Sequence, residues 1–201
     1  MSTIKTVCVY CGSGPGTNPR FMESATALGK ALAENDVGLV YGGGSIGLMG
    51  AVATGTLDHG GRVTGIIPDF LTKRENALDR VQEMIVTRDM HERKRLMFER
   101  SDAFVALPGG IGTLEELVEQ LTWQQLGRHS KPILLADIDG FWTPFVELIS
   151  HMRSTAFIRP TLAVDLLKAD RIEDVLPRLR AAAASVSDES KALSPEVASR
   201  L

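Results

Sequence analysis

The run Ala103-Phe-Val-Ala-Leu-Pro-Gly-Gly-Ile-Gly-Thr-Leu-Glu-Glu116 passes from five apolar residues, through a glycine-rich turn, into a segment with helical spacing. The apolar run reads as a buried strand that stops at Pro108. Gly112 or Thr113 is expected to open a helix reaching about residue 126, where Gly127 supplies the stop. Strand, tight turn and helix form the repeating unit of a parallel α/β sheet, and the flanking sequence repeats it. A strand is expected at residues 6–10 and a helix at 19–34, where Phe21, Ala25, Leu28 and Leu32 share one face. Strands follow at 38–41 and 62–67. Between them a helix capped by Ser45 runs to about residue 59. Residues 69–80 are irregular. A short strand at 81–87 precedes a strongly charged helix at 89–100. A further strand at 132–136 and helices at 141–154 and 171–184 complete the pattern. The expected fold is α/β, a Rossmann-like, doubly wound parallel sheet with helices on both faces. A single domain is expected over residues 1–184, with 185–201 as a C-terminal tail.

The 201 residues are 44% hydrophobic and 23% charged, enough for one packed core. A net charge of −3 offers no broad basic face for a nucleic-acid backbone, though a small phosphorylated ligand needs only a local positive site. No apolar stretch is long enough to span a membrane, and residues 1–5 lack a signal-peptide core, so a cytoplasmic location is expected. Cys8 and Cys11 are three apart with no second pair to complete a zinc site, and they read as reduced thiols. Asp137 and Asp139 have no partner carboxylates nearby in sequence, so no metal site is expected.

In parallel sheets ligands sit beyond the carboxyl ends of the strands, and glycine-rich turns fall there at residues 12–16, 42–44 and 109–112. The last has the character of a phosphate cradle. Glycines admit close approach, and the following helix offers unpaired N–H donors and partial positive charge. It lacks a P-loop lysine and the spacing of a dinucleotide fingerprint. Glu115 and Glu116, in the first turn of that helix, either stabilise the helix or serve a ribose held above it. Arg93, Lys94 and Arg95 cluster within one turn of the charged helix. Alone, they read as a solvated face. His91 reads as a surface residue, and Trp123 and Met97 read equally as core or as the border of a base.

Together these segments resemble the LOG ("lonely guy") family of cytokinin riboside 5′-monophosphate phosphoribohydrolases. The resemblance rests on Pro108-Gly-Gly-x-Gly-Thr-x-x-Glu116, preceded by Met90-His-x-Arg-Lys94. Tyr41-Gly-Gly-Gly44 with Gly47-Leu-Met-Gly50, Cys11-Gly-Ser13 and Thr122-Trp-x-Gln-Leu-Gly127 extend it over most of residues 7–179. It implies Arg93 and Glu116 as catalytic residues. It also implies substrate binding by Gly110, Gly112 and Thr113, with Gly43, Gly44, Lys94, Glu115 and an upstream acidic contact, Glu75. The implied reaction is hydrolysis of the N-glycosidic bond of adenosine 5′-monophosphates, N6-modified or not, releasing the base and ribose 5-phosphate. No cofactor is implied, and the implied assembly is a homodimer with sites close to the subunit interface.

Two other readings meet the same glycine turn. A non-catalytic nucleotide or molybdenum-cofactor carrier would share the fold without needing the Arg93–Glu116 pair. Lysine decarboxylation, a label often given to such proteins, needs a lysine holding pyridoxal phosphate, and no lysine here stands in a recognisable cofactor motif.

Overall fold

The computed structural model describes residues 4–72, 78, 80–159 and 166–192, with side chains as far as residue 186. Seven strands form one sheet in the order β4-β3-β2-β1-β5-β6-β7. They are β1 (Thr6–Tyr10), β2 (Gly38–Tyr41), β3 (Val63–Pro68), β4 (Glu83–Thr87), β5 (Ala103–Ala106), β6 (Ile133–Ala136) and β7 (Leu166–Ala169). Every neighbouring pair is parallel. The central strands are buried on both sides, which is why they read as continuous apolar runs rather than as alternation. The order reverses between β1 and β5, and that switch point opens a crevice at their carboxyl ends.

Helices cover both faces, as expected. Helices α1 (Pro19–Glu34), α2 (Gly47–Asp58) and α7 (Val175–Ala192) pack Leu28, Leu32, Val52 and Leu179 against one side of the sheet. On the other side α4 (Met90–Glu99), α5 (Ile111–Gln125) and α6 (Thr143–Ser154) bring Met97, Leu117, Leu121 and Phe145. A single turn, α3 (Asp69–Thr72), falls inside the stretch read as irregular. Cys8 packs with the second group and Cys11 with the first. Three residues along a strand reverse a side chain's face, so the two free thiols lie on opposite sides of the sheet and form neither a redox pair nor a shared metal site.

Several boundaries differ from the sequence reading. The cap of α2 is Ile46, not Ser45, and it gives no side-chain hydrogen bond. Helix α5 starts at Ile111 with Gly110 as its cap, one residue before the earliest expected start. Strand β7 was not expected. Leu166-Leu-Lys-Ala169 contains no β-branched residue and reads as helix-favouring in isolation. It is set as a strand by pairing with β6. Helix α7 continues past residue 184 to Ala192, because Ser185 and its neighbours carry no helix breaker.

Two contacts hold the frame around the crevice. Helices α1 and α2 meet backbone to backbone, where a methyl group on Gly29 would clash with the Val52 carbonyl and lie 2.7 Å from the Thr56 nitrogen. At the end of β6, the buried Asp137 carboxylate accepts from the Trp142 N–H at 2.5 Å, Thr143 Oγ1 at 2.9 Å and Lys168 Nζ at 2.7 Å. Burial pushes that carboxyl up, but Lys168, the Trp142 amide and Thr143 outweigh it and hold it below the ordinary aspartate range.

Gly29→Ala is expected to lose roughly 1–3 kcal/mol despite alanine's better helix propensity, because overpacking outweighs it. Gly14→Ala, with open space around the added methyl, is the neutral control in urea unfolding. Asp137→Asn is expected to cost roughly 1–3 kcal/mol at neutral pH. The folded-state pKa is depressed, so the stability is present above the unfolded carboxyl pKa and lost as pH falls through the folded one. The two proteins should therefore converge in stability in acid, and a pH-independent gap would contradict this assignment.

Candidate active site

A cleft of about 300 Å³ lies at the switch point between β1 and β5. Its walls come from five places in the chain: Val9 on β1 with Cys11, Gly12 and Ser13 after it, Gly42 after β2, Met49 from α2, Arg93 from α4, and Gly110 to Thr113 with Glu116 at the start of α5. The loop after β1 is pinned from both sides. The Gly12 N–H donates to the Pro108 carbonyl at 3.0 Å, and the Gly12 carbonyl accepts from Leu48 N–H at 3.1 Å.

The start of α5 forms one rim. Gly110 supplies no side-chain cap, so the first-turn amides of Ile111, Gly112 and Thr113 keep the donor capacity that a helix cannot satisfy internally. Helical spacing then sorts the side chains. Thr113 and Glu116 point inward and are buried. Glu115 and Glu119 fall on the flank that faces α4.

Helix α4 begins with Asp89, whose carboxylate accepts from the Glu92 N–H at 2.8 Å. Glu92 in turn accepts from the Arg88 N–H at 2.9 Å. These two bonds fix the start of the helix. The middle of α4 is not the solvated face that its charge suggests, because Arg93 and Lys94 are both buried while Arg95 is exposed. Arg93 donates its Nε–H to the Ile66 carbonyl at 3.1 Å and sets Nη1 at 3.1 Å from Glu116 Oε1. Less than a tenth of either side chain is exposed. Lys94 turns the other way, to Glu115 at 2.6 Å and Glu119 at 2.9 Å. Burial lowers the Lys94 pKa, but the bonds to Glu115 and Glu119 more than reverse this and leave it raised.

The structure thus brings together Arg93, Glu116, Gly110, Gly112 and Thr113 from the expected set. Lys94 and Glu115 form an adjacent ion-paired bridge between α4 and α5. Gly43 and Gly44 are buried and do not line the cleft, and the Gly43 carbonyl accepts from the Leu78 N–H at 3.3 Å. Glu75 lies outside the described residues. His91 is exposed, and Met97 is fully buried core. Trp123 meets Phe98 edge to face at 5.1 Å and is covered by Arg128. Among the described residues no cluster of three or more His, Cys, Asp or Glu could hold a metal ion. No helix among them is long and apolar enough to cross a membrane. Sequence reading missed Gly42, Met49 and Ser13 as cleft residues. The signal for Gly42 was present in its glycine run, but nothing in the sequence told which of the three glycines faces the site.

A family model described as "Possible lysine decarboxylase" matches residues 49–179, which include Arg93 and Glu116. The chain is 44% identical to the cytokinin riboside 5′-monophosphate phosphoribohydrolase LOG of Oryza sativa subsp. japonica, over 89% of this chain and 74% of the relative. It is 43% identical to LOG3 of Arabidopsis thaliana, which bears the same enzyme name, over 89% of this chain and 83% of the relative. Among solved structures, a molybdenum cofactor binding protein from Rippkaea orientalis superposes with a TM-score of 0.68 at 24% identity, covering 90% and 98% of the two chains. The Moco carrier protein of Chlamydomonas reinhardtii gives 0.67 at 21% identity, covering 91% and 99%. Those two likenesses are of fold. With identity above 40% along nearly nine-tenths of its length, the chain belongs to the LOG family, whose plant members are named cytokinin riboside 5′-monophosphate phosphoribohydrolases.

Proposed function

We propose that this protein hydrolyses the N-glycosidic bond of adenosine 5′-monophosphates, N6-modified or not, releasing the free base and ribose 5-phosphate. The observation that carries this reading is the buried Arg93–Glu116 pair at the wall of a cleft whose rim is an uncapped helix start. The amides of Ile111, Gly112 and Thr113 hold the 5′-phosphate, helped by the Thr113 hydroxyl and the helix dipole. A phosphate fixed there carries the ribose over Glu116, which supplies orientation. Departure of the base leaves positive charge on the anomeric carbon, as in glycoside hydrolysis. Glu116 stabilises that charge and takes a proton from the attacking water as its oxygen bonds the anomeric carbon, and that proton is returned to the departed base. Arg93 stays protonated throughout, orients Glu116 and stabilises negative charge on the leaving base. Lys94, Glu115 and Glu119 keep α4 and α5 in register, so that Arg93 and Glu116 meet. Glu75 remains the proposed upstream substrate contact.

The family description as a lysine decarboxylase finds no support in the described lining of the cleft, which contains no lysine. The likeness to molybdenum-cofactor carriers stops at the fold, whereas the likeness to phosphoribohydrolases extends along the sequence.

The same reading includes a cytoplasmic homodimer, and one face of α5 and α6 suits it. Ile111 is 82% exposed and Val118 42%. Val118 lines a groove of about 180 Å³ with Thr122, Ile149 and Met152. Ile111 also borders the cleft, so a second copy seated on this face would help to close it.

Release of base from AMP and from isopentenyladenosine 5′-monophosphate, followed by chromatography, tests the activity. Both monophosphates should be cleaved, the matching nucleosides should not, and Glu116→Gln should slow turnover by roughly 10²- to 10⁴-fold. Near wild-type turnover in folded Glu116→Gln protein would sink the assignment. Val118→Asp should shift the protein from dimer to monomer in sedimentation. An unchanged dimer would place the interface elsewhere.

A further inference from the structure

Nε of Arg93 donates to the Ile66 carbonyl, Nη1 faces Glu116 and the Met90 sulfur, and a third contact lies at Nη2, beside the open side of Gly42. The third contact differs in kind, because it depends on an atom that is missing. A methyl group on Gly42 would lie 2.5 Å from Nη2 of Arg93 and 2.9 Å from Sδ of Met49. Gly42 does not have the positive φ of its neighbour Gly43. A left-handed backbone is therefore not the reason for a glycine there.

We infer that Gly42 is a positioning residue: its lack of a side chain opens the slot that lets the Arg93 guanidinium reach Glu116 in the productive orientation. This rests on the proposed phosphoribohydrolase reading. Packing dictates what an alanine would move. Both atoms in its way are the ends of flexible side chains rather than backbone, so the fold can yield by displacing them. The Ile66 carbonyl and Glu116 then lose their guanidinium partner together. The motion needed is about an ångström, the scale at which misplaced catalytic groups lose rate. The other two glycines of the run do not share this role. Gly43 needs its positive φ and packs on Ile67, and Gly44 is buried outside the cleft lining.

The test pairs kinetics with a signal from Arg93 itself. In wild-type protein the buried Nε–H, donated to a carbonyl, should give a persistent side-chain cross-peak in ¹⁵N spectra, assigned by its loss in Arg93→Lys. In Gly42→Ala that cross-peak should vanish or broaden. The rate constant kcat should fall by roughly 10- to 100-fold, with KM within about threefold because the phosphate site is untouched. Adding Arg93→Lys to Gly42→Ala should cost little more, since both changes remove one interaction. A retained cross-peak with wild-type kcat, or effects that multiply independently, overturns the inference. Gly42→Ala/Met49→Ala removes the second neighbour. Recovery of signal and rate there would assign the effect to Met49 and also overturn it, whereas continued loss supports it. If the wild-type protein released no base, the functional reading would fall, and the cross-peak in the two proteins would still decide whether Gly42 sets the guanidinium.

Discussion

Arg93 and Glu116 face each other at 3.1 Å from different helices, both buried. Taking two charges out of water costs several kcal/mol per ion before their attraction is counted, and a pair of apolar residues of similar volume often does as well or better. Stability alone is therefore a poor reason for the pair. Much of the surrounding structure serves to hold it. Asp89 and Glu92 set the start of α4, the Ile66 carbonyl at the end of β3 takes the Arg93 Nε–H, and Lys94 ties α4 to α5 through Glu115 and Glu119.

Topology explains why the pair lies beside an uncapped helix start. A parallel sheet delivers its strand ends and following helix starts to one edge, and the reversal of strand order between β1 and β5 leaves a gap there. Helix α5 crosses that gap, with its first amides at the rim and Glu116 one turn inside. One helix therefore sets the distance between the first-turn amides and the Glu116 carboxylate. A rise of 1.5 Å per residue fixes it more rigidly than a loop would. The open amides and the buried carboxylate are two properties of one element.

The doubly wound α/β fold was legible in the alternation of apolar runs with helical spacing, because buried parallel strands and amphipathic helices leave distinct periods. Strand β7 was not legible, since Leu166-Leu-Lys-Ala169 becomes a strand only through its pairing with β6. The strand–turn–helix passage into α5 was legible in its glycine run, but the exact helix start was not, as Gly110 caps it without a side chain. Arg93 illustrates the limit most sharply. In isolation its neighbourhood reads as a solvated charged face, and only family resemblance singled it out. Its burial depends on Ile66, Glu116 and Gly42, all more than twenty residues away in the chain. Lys94, its neighbour in sequence, points to a different partner for the same helical reason that separates Glu115 from Glu116.

The most direct measurement is a crystal structure of the Glu116→Gln protein with AMP bound. The phosphate is expected on the amides of residues 111–113, with the anomeric carbon facing residue 116 and Arg93 beside the base. A phosphate seated instead on the loop of residues 12–16, or a ribose turned away from residue 116, would contradict the assignment of Glu116 to the reaction.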